Sequence, residues 1–132
     1  MGSGQFQIIN YTPYNWVKTS EHSYQMNNWT LPAQIPAWSR QQVYVEYASA
    51  FGNYQADDAG DTTYSIQGTE SSFSLGARAS SGQMLQTGVI PSFIGVQFNL
   101  IAQMGSSQCS LGWNENGTTT FALADRKSTR LN

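Results

Sequence analysis

The chain has 132 residues, of which 11% are charged and 39% are hydrophobic, and its formal net charge is −2 at pH 7. This length suits one domain with one core, and the small negative charge excludes the basic surface on which nucleic-acid binding depends. Cys109 is the only cysteine, which excludes an intrachain disulfide and a cysteine-based metal site.

Apolar and small polar residues alternate along much of the chain, and this period of two predicts strands with one buried and one wet face. In residues 73–79 the odd positions are apolar, and in residues 94–100 the even positions are apolar and are predicted to face the core. No long amphipathic helix is predicted. The predicted strands are 5–10, 14–19, 24–31, 41–48, 62–67, 72–79, 83–89, 92–103, 108–113 and 118–124. Eight to ten short strands predict an all-β, single-domain antiparallel β-sandwich.

The connections between these strands carry turn residues. Pro32 and Pro36 predict an extended, loop-like connection over residues 31–39, and residues 68–70 predict a hairpin or corner. The segment Asp57-Asp58-Ala59-Gly60-Asp61 admits two interpretations. Its carboxylates could bind Ca²⁺, or its aspartates could satisfy the backbone of a turn. The turn is the favoured interpretation, because the spacing of an EF-hand loop is missing.

The two ends of the chain differ from the rest. Residues 1–4 are interpreted as a linker, residues 5–124 as the sandwich domain, and residues 125–132 as a non-native or disordered tail. That tail, Asp125-Arg-Lys-Ser-Thr-Arg-Leu-Asn132, resembles the translation of a common DNA-sequencing adapter in all eight positions. A natural basic tail is the alternative. Met1-Gly-Ser-Gly4 lacks the features of a signal peptide, and the compartment, secreted or cytoplasmic, stays open.

Catalytic chemistry finds little support in the sequence. His22 is the only histidine and is expected to face solvent. No Gly-x-Ser-x-Gly nucleophile elbow is present, and a pair of carboxylates across a cleft is not expected in a filled sandwich. We therefore expect a protein that is not an enzyme, with no cofactor and no catalytic or metal-ligating residues.

Aromatic residues supply the candidate binding site. They crowd the first third of the chain, mostly in or beside irregular segments, and some are expected to belong to the core. Tyrosine and tryptophan also stack on sugars, lie at bilayer interfaces and anchor partners. The predicted ligand contacts are Tyr14, Trp16, Trp29 and Trp38, with Trp113 as a further candidate.

Several segments, taken in order, resemble the aegerolysins, small β-sandwich cytolysins and lipid binders. The resembling segments are Phe6–Asn10, Asn15–Lys18, Trp29, Ile35–Ser39 and the turn Gly68-Thr69 before Phe73. Actinoporin-like sandwiches share this framework. The resemblance implies a sandwich that binds a membrane lipid and acts with a pore-forming partner. The chain lacks the cysteine positions and the aromatic, acidic and proline-rich segment of the family, and a self-sufficient pore is not expected without an amphipathic helix.

These observations predict a non-enzymatic module that recognises a membrane lipid head group or a glycan through exposed tyrosine and tryptophan, with cytolysin-like or lectin-like activity. The expected partners are a membrane lipid or carbohydrate and further copies of the chain, without nucleic acid. The alternative is a structural protein that assembles into fibres, sheets or crystals, favoured by the low charge and by unprotected sheet edges.

Overall fold

The regular secondary structure in the described part of the chain consists of β-strands alone. The computed structural model describes the backbone of residues 3–48, 58–78, 85–94, 98–100, 109–113 and 117–125, and the side chains of residues 4–48, 58–78, 89–94 and 120–125. The strands are β1 (Ser3–Tyr11), β2 (Trp16–Tyr24), β3 (Met26–Asn28), β4 (Gln34–Ile35), β5 (Arg40–Tyr47), β6 (Ala59–Ile66), β7 (Ser72–Arg78), β8 (Leu85–Ser92), β9 (Phe98–Leu100), β10 (Cys109–Trp113) and β11 (Gly117–Asp125).

The strands form two sheets. The five-stranded sheet has the order β3-β5-β1-β11-β9, and the six-stranded sheet has the order β10-β8-β7-β6-β2-β4. All pairings in both sheets are antiparallel except β1 with β11, which run parallel. The predicted all-β sandwich class is confirmed, and the parallel pair is a feature that the sequence did not indicate. Because β1 and β11 are the first and last strands, no local signal marks their pairing.

The alternation of side chains decides what forms the core. In β6 and β7 every second side chain is buried, among them Tyr64, Ile66, Phe73 and Leu75. Strand geometry sends these side chains to one face, where they meet the inward residues of the other sheet, such as Phe121. The resulting core lies between the two sheets, and burial of its apolar surface is the main stabilising term of the fold.

Several predicted boundaries are wrong. Strand β2 continues to Tyr24 and β6 begins at Ala59, so residues 59–61 lie in a strand and not in the predicted turn. Strand β8 includes Pro91, which is tolerated because β10 pairs with β8 only as far as Val89. The predicted long strand 92–103 is interrupted at residues 93–94, and Ile94, predicted to face the core, is 51% exposed.

The domain limits also differ from the prediction. Ser3 and Gly4 pair with Glu46 and Val45, so they belong to the five-stranded sheet and not to a linker. At the other end, Asp125 pairs with Phe98 and is part of the fold. Residues 1–2 and 126–132 lie outside the described residues.

The ends of both sheets meet at one pole of the molecule. Here β1 ends at Tyr11, β2 begins at Trp16, β5 begins at Arg40 and β8 ends at Ser92. Strand β6 ends and β7 begins at the same pole, and the segments described between strand ends here are residues 12–15, 36–39, 67–71 and 93–94. We call this end the Trp38 pole.

Candidate functional site

Two of the predicted contact residues are buried. Trp16 is 0% exposed and Trp29 is 5% exposed, so neither ring can reach a ligand outside the protein. The prediction that both are exposed is wrong. Trp16 is the first residue of β2 and projects from the inner face of that strand, and the Trp29 ring packs against Gly60 of β6.

Trp16 is the centre of an aromatic cluster in the core. Its ring meets Phe73 edge-on at 5.0 Å and lies 6.0 Å from Phe121, and these two phenylalanines are 4.9 Å apart. Edge-to-face rings at such distances are favourable beyond the area that they bury. The indole N–H of Trp16 has no hydrogen-bond partner among the described residues. Trp16 is therefore a packing residue that links the two sheets.

The Trp29 ring packs directly against the backbone of Gly60. A Cβ atom on Gly60 would come within 2.3 Å of Trp29 Cδ2 and within 2.6 Å of two other ring atoms, so only glycine leaves room for the indole. The indole N–H of Trp29 donates a hydrogen bond of 3.0 Å to Thr62 Oγ1. The ring also meets Phe6 edge-on at 5.7 Å. Trp29 thus holds the segment between β3 and β4 against the core.

A charged pair secures the same segment from outside. Lys18 Nζ lies 2.9 Å from Glu21 Oε1 and donates a hydrogen bond of 2.8 Å to the Leu31 carbonyl. Glu21 Oε2 accepts hydrogen bonds from the Leu31 N–H and from Thr62 Oγ1, both at 2.9 Å. Burial alone would raise the pKa of Glu21, but these hydrogen bonds and the Lys18 ammonium outweigh it and leave the pKa lowered. The network replaces strand pairing where β4 is too short to cover β2.

Trp38 is the most exposed of the predicted contact residues whose side chains the structure describes. The indole is 60% exposed, at the tip of the turn Pro36–Ser39. The Ser39 N–H donates to the Pro36 carbonyl at 3.2 Å, and the φ angle of Trp38 is 61°. Positive φ at the third residue of a four-residue turn is the type II conformation, which favours glycine or asparagine there. A bulky side chain in this conformation is strained.

A second type II turn at the same pole has glycine at its third position. In the turn Ile66–Thr69 the Thr69 N–H donates to the Ile66 carbonyl at 3.1 Å. Its third residue is Gly68, with a φ angle of 88°, as the turn type demands. The chain therefore uses glycine in one type II turn and tryptophan in the other.

Asn10 holds the strained turn in place. Its side chain is fully buried, and Nδ2 donates toward the carbonyls of Ile35, Pro36 and Tyr14 at 3.0, 3.1 and 2.9 Å. Its Oδ1 accepts from the N–H and the hydroxyl of Thr12 at 2.9 and 2.6 Å. One side chain thus joins two of the segments at the pole, residues 12–15 and 36–39, and the surrounding structure imposes the backbone conformation on Trp38.

Asn15 links the turn Pro36–Ser39 to the hairpin between β6 and β7. Its Oδ1 accepts from the Ala37 N–H at 3.0 Å, and its carbonyl accepts from the Gln67 N–H at 2.9 Å. Tyr14, another predicted contact residue, is half-buried against the core, with its ring over Gly68. The Trp38 pole is therefore a rigid, cross-linked surface.

Two exposed apolar side chains at this pole were missed by the sequence analysis. Tyr11, at the end of β1, is 41% exposed, and Ile94 is 51% exposed. The Ile94 N–H donates a hydrogen bond of 2.8 Å to Ser71 Oγ, which fixes Ile94 beside the hairpin. The alternation of residues 94–100 predicted the wrong environment for Ile94, because the strand pattern does not show where a strand ends.

Trp113 does not join this pole. It lies in β10 opposite Leu85, at the other end of the six-stranded sheet, and its side chain lies outside the described residues. Cys109 begins the same strand. Tyr24, at the end of β2 and 57% exposed, also lies at the pole opposite Trp38.

His22 is not set in a cavity. It lies on β2, on the outer face of the six-stranded sheet, with Nδ1 3.4 Å from Asp61 Oδ1, and both side chains are mostly exposed. In the described part of the chain, no three His, Cys, Asp or Glu side chains are grouped so that they could hold a metal ion. Nor does that part contain a helix long and apolar enough to cross a membrane.

A comparison with known protein families finds no family model that matches this chain, and no curated protein matches it either.

Proposed function

We propose that this protein is a binding module that docks the Trp38 pole into the interface of a lipid bilayer. The exposed, strained Trp38 is the observation that carries the proposal. Backbone strain persists only where surrounding structure imposes it, and it concentrates at sites that bind or act. Tryptophan is also the side chain that membrane interfaces accommodate best, since one end of the ring is apolar and the other donates a hydrogen bond.

The neighbours of Trp38 favour a membrane over a free sugar. Tyr11 is a second amphipathic ring, whereas Ile94 has a purely aliphatic side chain that offers nothing to a sugar hydroxyl. Insertion of an aliphatic side chain among acyl chains removes it from water and is favourable. The three exposed side chains together therefore match the mixed polarity of the interface.

Charge points to a zwitterionic surface. Near the pole, Arg40 and Glu70 are both exposed and Asp125 is half-buried, so the described residues carry no net positive charge. An anionic membrane attracts clusters of lysine and arginine, and the described residues of this pole hold no such cluster. We therefore expect binding that changes little between low and high salt.

The expected affinity of a single pole is low. Burying the exposed parts of Trp38, Tyr11 and Ile94 contributes about 1 kcal/mol each, or about 3 kcal/mol in all. A free energy of that size corresponds to a dissociation constant weaker than about 1 mM. Useful binding then requires several poles on one membrane, and the proposal includes a homo-oligomer for this reason.

Sedimentation with phosphatidylcholine vesicles tests the proposal. Trp38→Ala should lower the bound fraction, with an apparent affinity about fivefold weaker for the loss of about 1 kcal/mol. Tyr24→Ala removes a ring of similar exposure from the opposite pole and should bind as the unchanged protein does. Tryptophan emission should shift to the blue when vesicles are added, and Trp38→Phe should abolish the shift. The proposal fails if Trp38→Ala and Ile94→Ser both leave vesicle binding unchanged.

Self-assembly is the second candidate function, and the open edge of β5 supports it. On the side away from β1, β5 pairs with β3 only at Tyr47 and Glu46, and unpaired strand edges invite pairing with another chain. A groove of about 380 Å³ lies along this edge, lined by Asn28, Thr30, Leu31, Pro32, Gln42, Val43 and Tyr44. Light scattering that rises with concentration in the absence of lipid, together with ordered particles in electron micrographs, would favour this function.

A further inference from the structure

The outer face of the five-stranded sheet carries a row of amide side chains between two exposed rings. Gln5 and Gln7 project from β1 on the side opposite the buried Phe6 and Ile8. Gln7 pairs with Gln42 of β5 on one side and with Thr120 of β11 on the other. We call these four residues, together with Tyr11 and Tyr44, the glutamine face.

The amides form two separate hydrogen-bonded pairs that still offer polar groups to solvent. Gln42 Nε2 donates to Gln5 Oε1 at 2.6 Å, and Thr120 Oγ1 donates to Gln7 Oε1 at 3.2 Å. These bonds use one end of each amide. Among the described residues, nothing pairs with the Nε2 groups of Gln5 and Gln7 or with Oε1 of Gln42. The face therefore presents both donors and acceptors.

Tyr44 is held at one end of this face by a carboxylate. Its hydroxyl donates a hydrogen bond of 2.6 Å to Glu46 Oε1, while Asn27 Nδ2 donates to Glu46 Oε2 at 3.1 Å. The hydrogen bond from Tyr44, followed by that from Asn27, lowers the pKa of Glu46. Because both carboxylate oxygens have donors, Glu46 orients the ring, which is 44% exposed.

The two rings are separated by the length of a short oligosaccharide. Tyr44 pairs with Gln5, and Tyr11 lies six residues farther along β1, which is about 20 Å at roughly 3.3 Å per residue. Pyranose rings have apolar C–H faces that stack on aromatic rings and hydroxyls that both donate and accept. A linear sugar chain could therefore stack on Tyr44 and Tyr11 and bind the amides of Gln5, Gln42 and Gln7, and it would pass Ile9 and Arg40 before it reaches Tyr11.

Charge decides what kind of sugar fits. The charged side chains on the described part of this face are Arg40, which pairs with Ile9 between Gln7 and Tyr11, and Glu46, which lies beyond Tyr44 at the other end of β5. The carboxylate of Glu46 is already engaged, and the amides between the two ends are uncharged. A sialylated or sulfated chain would find one cation, Arg40, on this face and uncharged groups from Tyr44 to Gln7, whereas a neutral chain would need no cation.

We infer that the glutamine face binds the neutral oligosaccharide head group of a membrane glycolipid. The inference rests on the proposed docking of the Trp38 pole at a bilayer. Tyr11 belongs to both the glutamine face and the Trp38 pole, because it lies where the face meets the pole. With the pole in the interface, β1 and β5 run away from the membrane. A head group that projects from the bilayer would then lie along the face from Tyr11 toward Tyr44.

Vesicle binding with two lipid compositions tests this inference. One set of vesicles contains phosphatidylcholine alone, and the other also contains a ceramide that bears a neutral, linear tetrasaccharide. We expect the unchanged protein to bind the second set about tenfold more tightly, equivalent to about 1.4 kcal/mol. Tyr44→Ala should abolish this gain and keep the binding to phosphatidylcholine. Ile90→Ala, a change at a 57% exposed side chain on the outer face of the other sheet, should keep both.

Two further measurements separate the possible failures. Tyr44→Phe keeps the ring but loses the hydrogen bond to Glu46, and it should retain part of the gain. The free tetrasaccharide should compete away the gain and leave the binding to phosphatidylcholine intact.

The inference is overturned if the unchanged protein binds both sets of vesicles equally, if it binds neither the vesicles nor the free tetrasaccharide, or if the gain survives Tyr44→Ala. It is also overturned if Tyr44→Ala converts a dimer to a monomer in size-exclusion chromatography without sugar, because a second copy then covers the face. If the free tetrasaccharide binds but vesicles of neither composition do, the membrane proposal has failed separately.

Discussion

Replacing Trp38 by glycine should raise stability and lower membrane binding in a single step. The left-handed conformation of a residue with a side chain costs about 1–2 kcal/mol, and glycine removes that cost. Glycine also gains freedom in the unfolded chain, which offsets about 0.5–1 kcal/mol of the benefit. The ring is mostly exposed, so its loss removes little packing. The expected net gain in the free energy of unfolding is about 0.5–1 kcal/mol.

The assay combines thermal unfolding with vesicle sedimentation. A gain of that size raises Tm by about 2–5 °C for a domain of this length. Trp38→Ala is the matched control, because it removes the same ring and keeps the left-handed backbone of the turn. Its stability should stay near that of the unchanged protein, while its vesicle binding falls as far as that of the glycine variant.

Two results would refute this reasoning. If Trp38→Gly is no more stable than Trp38→Ala, the turn stores no strain at this position. If Trp38→Gly binds vesicles as tightly as the unchanged protein, the ring is not a membrane anchor. A stable variant that no longer binds is the expected outcome, and it would mean that the chain gives up stability here for binding.

Three other predictions concern the framework of the site. Gly60→Ala should lower the free energy of unfolding by about 2–3 kcal/mol in denaturant titrations, because the added Cβ overlaps the Trp29 ring. Gly76→Ala, whose Cβ would lie 3.3 Å from the nearest atom, should lose less, and equal losses would contradict this explanation. Asn10→Ala should cost about 2–4 kcal/mol in the same titrations, because the buried Thr12 N–H loses its acceptor and the Ile35 carbonyl loses the amide donor; a loss below about 1 kcal/mol would mean that water replaces the amide. Glu21 has a pKa lowered in the fold, so its stabilisation is present above its ordinary pKa of 4.5 and is lost as the pH falls through the folded value. Glu21→Gln should therefore be less stable than the unchanged protein at pH 7 and closer to it in acid, and a difference that does not depend on pH would exclude an ionic role.

The fold class could be predicted because strand geometry leaves a local signature. Phe73 and Leu75 alternate with serine and glycine, and both are buried, as the period of two requires. The turn at Gly68 was likewise readable, since glycine marks positive φ. Trp38 carries no such mark, and nothing local shows that Asn10 and Asn15 hold its turn.

The candidate site was predictable only in part. Tyr14 and Trp38 do lie at one pole, but Trp16 and Trp29 belong to the core, and Tyr11 and Ile94 were not among the predicted contacts. The local sequence does not distinguish a tryptophan beside a loop whose ring is buried from one whose ring is exposed. Trp29 is covered because Gly60, 31 positions later in the sequence, has no side chain to occupy the same space.

The sequence by itself determined that the chain forms strands and which side chains of each central strand face inward, because that choice depends only on neighbouring positions. The tertiary structure alone decided which strand ends meet at the Trp38 pole and which rings stay uncovered there. It also decided that the amides of β1 and β5 and the Thr120 hydroxyl of β11 lie side by side. The physical reason is that these contacts join residues far apart in the chain, and their register is set by packing between the sheets.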